Sequence, residues 1–438
     1  MLDRTDTKQF HYYQPGIGSY IPGQMSNTSK GSLYTQFKDS IIEHWDEAFG
    51  VSFVDHVVAG YKFLMRFHKP GDNIYIFGFS RGAYTARYLT EMIFHIGLLS
   101  EGNEEMIRFA WDTFSDFQTA LVKKAGEKDP QAFLSSFKDS FCREKVRVHF
   151  LGLFDCVNSV TQFQNPFARA STPCLLKSPA DHIRHAVSIH ERRVSFKPAL
   201  FLLENPSTSK ADIKEVYFAG NHGDVGGGWN YEKDLKVKDT SATDNVTSKE
   251  GLPILLSHIP LQWMMREVRD LDNQAKDGNV LKWQSDKVES IDNDVKILNE
   301  VLVDKVVLVK QDALRKLFHD PLKIGRGCST VNTWFWWILE TLPVVPYYDL
   351  DKDDKWVARL LKPNLGKMRK IPRYVAAGKV AATKSGKSVT YFHKSVQMLK
   401  DSGAILENEM SKPGHASTTW SSFGWFQWNN GSIKVAHD

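Results

Sequence analysis

Cysteine is scarce in this chain: Cys142, Cys156, Cys174 and Cys328 are the only four in 438 residues. None stands in C-x-x-C spacing, which excludes a disulfide scaffold and a cysteine zinc site and fits a reducing compartment. Long apolar runs are missing as well; none reaches the ~18–20 residues that a spanning helix needs. The start, Met1-Leu2-Asp3-Arg4-Thr5-Asp6, is polar, so no secretory signal is read there. Charge of one sign is also lacking: 56 Lys and Arg face 51 Asp and Glu, a dispersed net +5. That balance points away from nucleic acid as a partner. The expected location is cytoplasmic, with peripheral contact at membranes left open by one aromatic stretch described below. What remains is ordinary: 42% hydrophobic and 24% charged residues, enough for a self-sufficient core.

The chain turns on residues 74–87. Ile74 to Phe77 reads as a short apolar strand, followed by a sharp turn and then a helix with Ala86, Leu89, Ile93 and Ile96 on one face and Gly97 as its stop. The turn carries Gly78-Phe79-Ser80-Arg81-Gly82, a G-x-S-x-G pattern. Such a turn holds the serine strained and exposed at a strand's carboxyl end, and the glycines on either side let strand and helix pass closely. The free N–H groups at the helix start suit a developing oxyanion. Alone the pattern is weak; between a strand and a helix it points to a nucleophile elbow.

Other stretches carry possible chemistry. Phe10 to Tyr13 reads as a strand. Residues 34–67 read as one or two helices with aromatic core stripes, and residues 102–143 as helices that either cap the site or decorate its rim. Val146 to Phe154 reads as a buried parallel strand ending in Asp155, a carboxylate suited to a triad acid or a loop cap. Residues 180–194 read as a polar helix. Its three histidines, 182, 185 and 190, do not share one helical face, so no metal site is expected; Arg192 and Arg193 read as ion-pair partners or, less favoured, as phosphate contacts. Glu215 to Gly220 reads as a strand, and the glycine-rich loop after it holds His222 and Asp224 at the sheet edge where α/β ligands bind. That loop lacks the G-x-x-x-x-G-K-[ST] phosphate pattern.

Later, Thr333 to Tyr348 packs three tryptophans into four residues (Trp334, Trp336, Trp337). Interface-seeking aromatics of this kind suit lipid contact, although a helix buried on the core is the simpler reading. Residues 362–390, with Lys367, Arg369, Lys370 and Arg373, read as a solvated basic loop. Val389 to Phe392 reads as the last strand, followed by His393 and a helix.

Taken together, His11 to Gly18, Gly78 to Arg87, Leu151 to Val157, His185 to Arg193 and Glu215 to Trp229 resemble, in this chain order, the α/β-hydrolase family that includes the phospholipase effectors of bacterial type VI secretion. The last stretch is most similar to the family's fungal branch. The resemblance implies a mostly parallel sheet flanked by helices and a serine esterase acting on lipid or other esters without a cofactor. The family usually begins with an earlier strand ending in an Asp-Gly-Thr-type turn, and that first strand is missing here. A loop after that strand commonly supplies an oxyanion-hole N–H. The alternative reading is therefore an impaired hydrolase-like protein that binds a partner or a lipid surface. The expected organisation is a hydrolase core over residues 1–270 with a helical insertion near 100–145. A helical and aromatic region with the last strand follows over 271–400, then a partly disordered tail over 401–438.

A serine nucleophile needs a histidine base and an orienting acid, in the chain order Ser, Asp or Glu, His. Two sets satisfy that order. Ser80, Asp224 and His393 fit the usual placement and are slightly preferred; Ser80, Asp155 and His222 stand at the ends of successive strands. The N–H of Arg81, next after the nucleophile, is the expected oxyanion donor.

Overall fold

The computed structural model describes residues 1–16, 53–122, 130–157, 178–200, 212–229, 254–274, 280–303, 318–341, 347–350, 356–359, 363–369, 391–396, 427–428, 431–432 and 434–436. Its centre is a parallel sheet whose strands lie side by side in chain order: β1 (Ile74–Phe79), β2 (Val148–Phe154), β3 (Ala180–Ser188), β4 (Asp212–Phe218) and β5 (Tyr391–His393), with a short β6 (Lys434–Ala436) on β5. A parallel neighbour needs a crossover, so all the strands run the same way and their carboxyl ends share one edge. The register continues across them: Phe79 faces Phe154, Phe154 faces Ala186, and Ser188 faces Phe218.

The turn before β1 is closed by Asp72, whose carboxylate accepts the Lys69 N–H at 2.8 Å, and Gly71 takes φ 93°. After β1 comes helix α1 (Arg81–Ile96), ended by Gly97 at φ 90°. Helices α2 (Ile107–Val122) and α3 (Pro130–Phe141) follow. Their residues Ile107, Trp111, Phe114, Phe117 and Phe137 join Ala83, Met92 and Ile93 of α1, residues of helix 53–67, and Val148, Leu151 and Ile183 of the sheet in one apolar core. The insertion therefore packs on the elbow helix. A five-residue helix, α4 (His222–Gly226), follows β4, and α5 (His258–Gln274) and α6 (Ser285–Val303) come later. Trp263, Met264 and Val268 of α5 and Val295 and Leu298 of α6 join Phe150, Val187 and Phe218 of the sheet in a second core. Helix α7 (Thr330–Thr341) comes next, and a ribbon of Tyr347–Leu350 with Trp356–Arg359 follows.

Three expectations are corrected. Residues 180–188 form strand β3, not a helix, because Arg184 and His185 are buried and paired inside the protein while Ile183, Ala186 and Val187 pack in its cores. Arg184 bonds Asp212 at 2.7 Å and also reaches Glu267, and His182 and His185 meet Asp212 at 2.7 Å and Glu215 at 2.8 Å. Phe10 to Tyr13 joins no ladder; Phe10 lies 5.3 Å from the ring of Phe67, and Tyr12 stacks on Phe63 at 5.1 Å. Arg369, read as part of a solvated loop, is 4% exposed. The polar loop at 230–250, residues 34–50, residues 370–390 and most of the tail lie outside the described residues.

Candidate active site

Ser80 sits between β1 and α1 with φ 60° and ψ −128°, in the left-handed region that a non-glycine residue seldom enters. Its N–H donates to the carbonyl of Phe154 at 3.0 Å, and its carbonyl accepts from Ala83 at 3.1 Å. The turn is therefore tied both to the neighbouring strand and to the first turn of the helix. Gly78 makes this packing possible. A Cβ there would lie 2.5 Å from the Gly82 carbonyl oxygen and 2.6 Å from the Ala83 Cα, both backbone atoms. A Cβ on Gly82, by contrast, would meet nothing within 4 Å. Of the two glycines in the pattern, only the first is required by close packing.

His222 heads α4 after a capping box in which Asn221 and Asp224 exchange hydrogen bonds with each other's backbone N–H. Its Nε2 lies 2.7 Å from Ser80 Oγ and its Nδ1 lies 2.6 Å from Asp155 Oδ2. The ring is held between Phe79 and Phe196, with centroids at 4.5 and 4.7 Å. Gly226 leaves room for Phe79: a Cβ there would lie 1.9 Å from that ring. A Cβ on Gly227 or Gly228 would meet nothing within 4 Å; these two instead take φ 88° and 105°, so they serve the backbone turn.

Asp155 follows β2 with φ 42° and is fully buried. Besides His222 it accepts the Ser188 N–H at 2.9 Å, the Ser188 hydroxyl at 3.0 Å, and both terminal nitrogens of Arg369 at 2.6 and 2.9 Å. Burial opposes its ionisation, but the Arg369 guanidinium and His222 hold its carboxyl far below the usual carboxylate range. Burial pushes the His222 imidazole below its ordinary value; Asp155 and Glu191 pull it back up, and Arg193 works against them.

Glu191 forms the next layer. It accepts from the Arg192 and Arg193 backbone N–H groups at 2.9 and 2.8 Å, from the Arg193 guanidinium at 2.9 Å, and from the His222 N–H at 3.2 Å. Burial raises its carboxyl, but Arg193, with Arg369 and His222, together bring it down to about 2. Arg193 is itself sandwiched by Phe196 and Trp336, 3.7 and 4.7 Å from the ring centroids. Arg192 bonds Asp320 at 2.8 Å and the Gly366 carbonyl at 2.8 Å. Both arginines are thus committed to partners within the protein.

The model of the type VI secretion phospholipase effector Tle1-like catalytic domain matches residues 1–267, more than half of the chain. The chain belongs to this family. It is also similar to the uncharacterized protein YEL023C of Saccharomyces cerevisiae, at 38% identity over 205 residues, which is 46% of this chain and 29% of the relative. The chain therefore spans under a third of that relative's length. No solved structure matches.

Within this Tle1-like chain, the structure brings Ser80, His222 and Asp155 together and places Asp224 and His393 elsewhere. Asp224 bonds His319 Nδ1 at 2.6 Å and the Asn221 N–H at 3.0 Å, and His319 stacks on Trp229 at 4.4 Å. Burial raises the Asp224 carboxyl. His393 stacks on Phe218 at 4.8 Å and meets the Ser395 hydroxyl at 2.8 Å. Burial drives its imidazole down to about 3. Of this pair, Asp224 is engaged by His319, and His393 ends β5, which lies beyond β4 and four strands from β1. Arg81 is the first residue of α1, directly after Ser80. The residues that sequence reading missed are Ser188, Glu191 and Arg369. Ser188 and Glu191 follow from recognising β3 as a strand. Arg369 has no local signal, because it sits among other basic residues.

Among the described residues no helix is long and apolar enough to cross a membrane.

Proposed function

We propose that this chain is a serine ester hydrolase of the phospholipase type, with Ser80 as nucleophile, His222 as base and Asp155 as the orienting acid. The observation that carries the reading is the single imidazole bridging Ser80 Oγ and Asp155 Oδ2 at 2.7 and 2.6 Å. Both distances are within proton-transfer reach. As Ser80 Oγ bonds the ester carbonyl carbon, His222 Nε2 takes its proton. Asp155 stabilises the imidazolium, and the oxyanion is received at the head of α1, where the Arg81 N–H is the nearest candidate donor. His222 then gives the proton to the departing alkoxide as the ester C–O bond breaks. Water, activated by the same imidazole, releases the acid from Ser80.

A lipid substrate is supported by helix α7. Val331, Trp334, Phe335 and Ile338 recur at helical spacing and are 77%, 64%, 39% and 51% exposed. On another side of the same helix, Trp336 lies 5.6 Å from Phe196, which itself packs on His222. A helix that exposes an apolar face on one side and reaches the base through Trp336 and Phe196 on another suits an enzyme that draws its substrate from a lipid surface.

The test is labelling with a fluorophosphonate, which reacts only with an activated serine. The wild-type chain is expected to label, Ser80→Ala not at all, and Asp155→Asn about 10⁴-fold more slowly. His393→Gln should keep its label. A folded wild-type chain that takes no label would instead support an impaired hydrolase-like protein whose role is binding.

A further inference from the structure

Asp155 accepts five hydrogen bonds, and the side chain that makes two of them comes from far outside the segment that the family model matches. The Arg369 guanidinium presents Nη1 and Nη2 to Oδ1 and Oδ2 at 2.6 and 2.9 Å, two parallel charge-assisted bonds in the fork-to-fork arrangement. Nη1 also donates to the Ser188 hydroxyl at 2.7 Å, and Nε donates to the Phe196 carbonyl at 2.8 Å. The Arg369 N–H donates to the Glu191 carbonyl at 3.3 Å. Every one of these partners belongs to the shell around His222. The segment bearing Arg369 is pinned in turn by Glu340 of α7, which accepts from Asn364 at 2.6 Å and from the Gly366 N–H at 3.1 Å.

We infer that Arg369 is a positioning residue for the acid of the triad: it fixes the plane of the Asp155 carboxylate and offsets its charge, so that the catalytic unit is completed by residues 363–369 and not by the matched segment 1–267 alone. The inference rests on the Ser80, His222 and Asp155 reading above. It has two consequences. With one oxygen pair fixed by the fork, Oδ2 is directed to His222 Nδ1 and sets the ring orientation toward Ser80. With a positive charge beside the carboxylate, His222 feels a weaker negative field and stays neutral to lower pH. The other charges facing the imidazole are Glu191, which raises its basicity, and Arg193, which lowers it. Both stay in place when Arg369 is changed.

The experiment is the fluorophosphonate labelling rate against pH for the full chain, for Arg369→Lys and for Arg369→Ala, the last with and without guanidinium chloride at a non-denaturing level matched in ionic strength. Folding is checked by circular dichroism. Arg369→Ala should label about 100-fold more slowly. Its acid limb should move up by about half a unit to one unit. Free guanidinium should restore part of the rate. Arg369→Lys should keep the limb in place but lose rate, since an ammonium cannot form the two parallel bonds. If Arg369→Lys labels at the wild-type rate, the positioning role is overturned. A folded Arg369→Ala whose rate falls without a shifted limb and without rescue leaves only a structural role and overturns it as well. A wild-type chain that does not label overturns the hydrolase reading and this inference together; a labelling wild type with an unaffected Arg369→Ala overturns this inference alone.

Discussion

The two glycines of the Gly78-Phe79-Ser80-Arg81-Gly82 turn offer a sharp test of how the elbow is built, because the structure assigns them opposite weights. A methyl group on Gly78 would lie 2.5 Å from the Gly82 carbonyl oxygen, 2.6 Å from the Ala83 Cα and 2.8 Å from the Ala83 nitrogen. All three are backbone atoms of the helix start, so no rotamer change relieves the contact. Strand β1 and helix α1 must move apart by several tenths of an ångström at the point where Ser80 already holds φ 60°. Overpacking of this kind costs about 1–3 kcal/mol, and the upper end applies where only backbone can yield. The displaced Ser80 Oγ would also leave the 2.7 Å contact with His222. Gly78→Ala should therefore lose about 3 kcal/mol in urea unfolding together with most of its fluorophosphonate labelling. At Gly82 the added methyl meets nothing within 4 Å, and the residue lies inside a sixteen-residue helix. Gly82→Ala should be neutral or gain up to about 1 kcal/mol from the reduced freedom of the unfolded chain. Equal losses in the two variants would refute the argument, since they would mean that the pattern matters through both glycines and not through this one close approach.

Two further perturbations test the surroundings of the site. His393 is buried neutral, with its imidazole down at about 3 against an ordinary 6.5. Below pH 6.5 the unfolded chain therefore binds a proton that the folded chain refuses, and stability falls by about 1.4 kcal/mol per pH unit from this group until pH nears 3. The drop in unfolding free energy between pH 6.5 and 5 should be about 2 kcal/mol smaller in His393→Gln than in wild type, measured by urea titration at both values. Glu340 is fully buried and accepts from Val194, Asn364 and Gly366. Its replacement by alanine leaves three buried donors unmatched and should cost about 3 kcal/mol or more, with labelling weakened because residues 190–197 and 363–369 lose a common anchor.

How far the sequence could be read depends on whether a residue's role is decided by its neighbours in the chain or by neighbours in space. The elbow is decided locally: an apolar strand, a glycine, a serine and a helical pattern within a few residues are enough, and Ser80 stands where that pattern puts it. Val148–Phe154 is similarly plain, because a strand buried on both faces is continuously apolar. Strand β3 reads as a helix in the sequence because hydrophobic period is the main cue to secondary structure, and here the burial of Arg184 and His185 depends on the ion pairs and hydrogen bonds that the adjacent strand β4 and helix α5 provide. Choosing between His222 and His393 needed strand order. Both follow strands, and the chain order Ser, Asp, His admits either. Arg369 is the extreme case: its role exists only because its segment folds back onto the ends of β2 and β3.

The strand order also explains how Asp155 comes to stand beside Ser80. In a sheet whose strands add in chain order, the strand beside β1 is β2, so Phe79 and Phe154 face each other in register and the next residues, Ser80 and Asp155, emerge side by side at the same edge. His222 must then come from beyond and reach back over β3. The capped turn of α4 does this, with Phe79 and Phe196 holding the ring from either side. That arrangement places a buried carboxylate close to Ser80, where a bare negative charge would be costly. A compensating cation is required, and neither β1 nor β2 supplies one. Arg369 answers that need. The same geometry that sets Ser80 and Asp155 on adjacent strands therefore calls for a contribution from the later part of the chain, and it is at Arg369 that the residues beyond 267 become part of the site's chemistry.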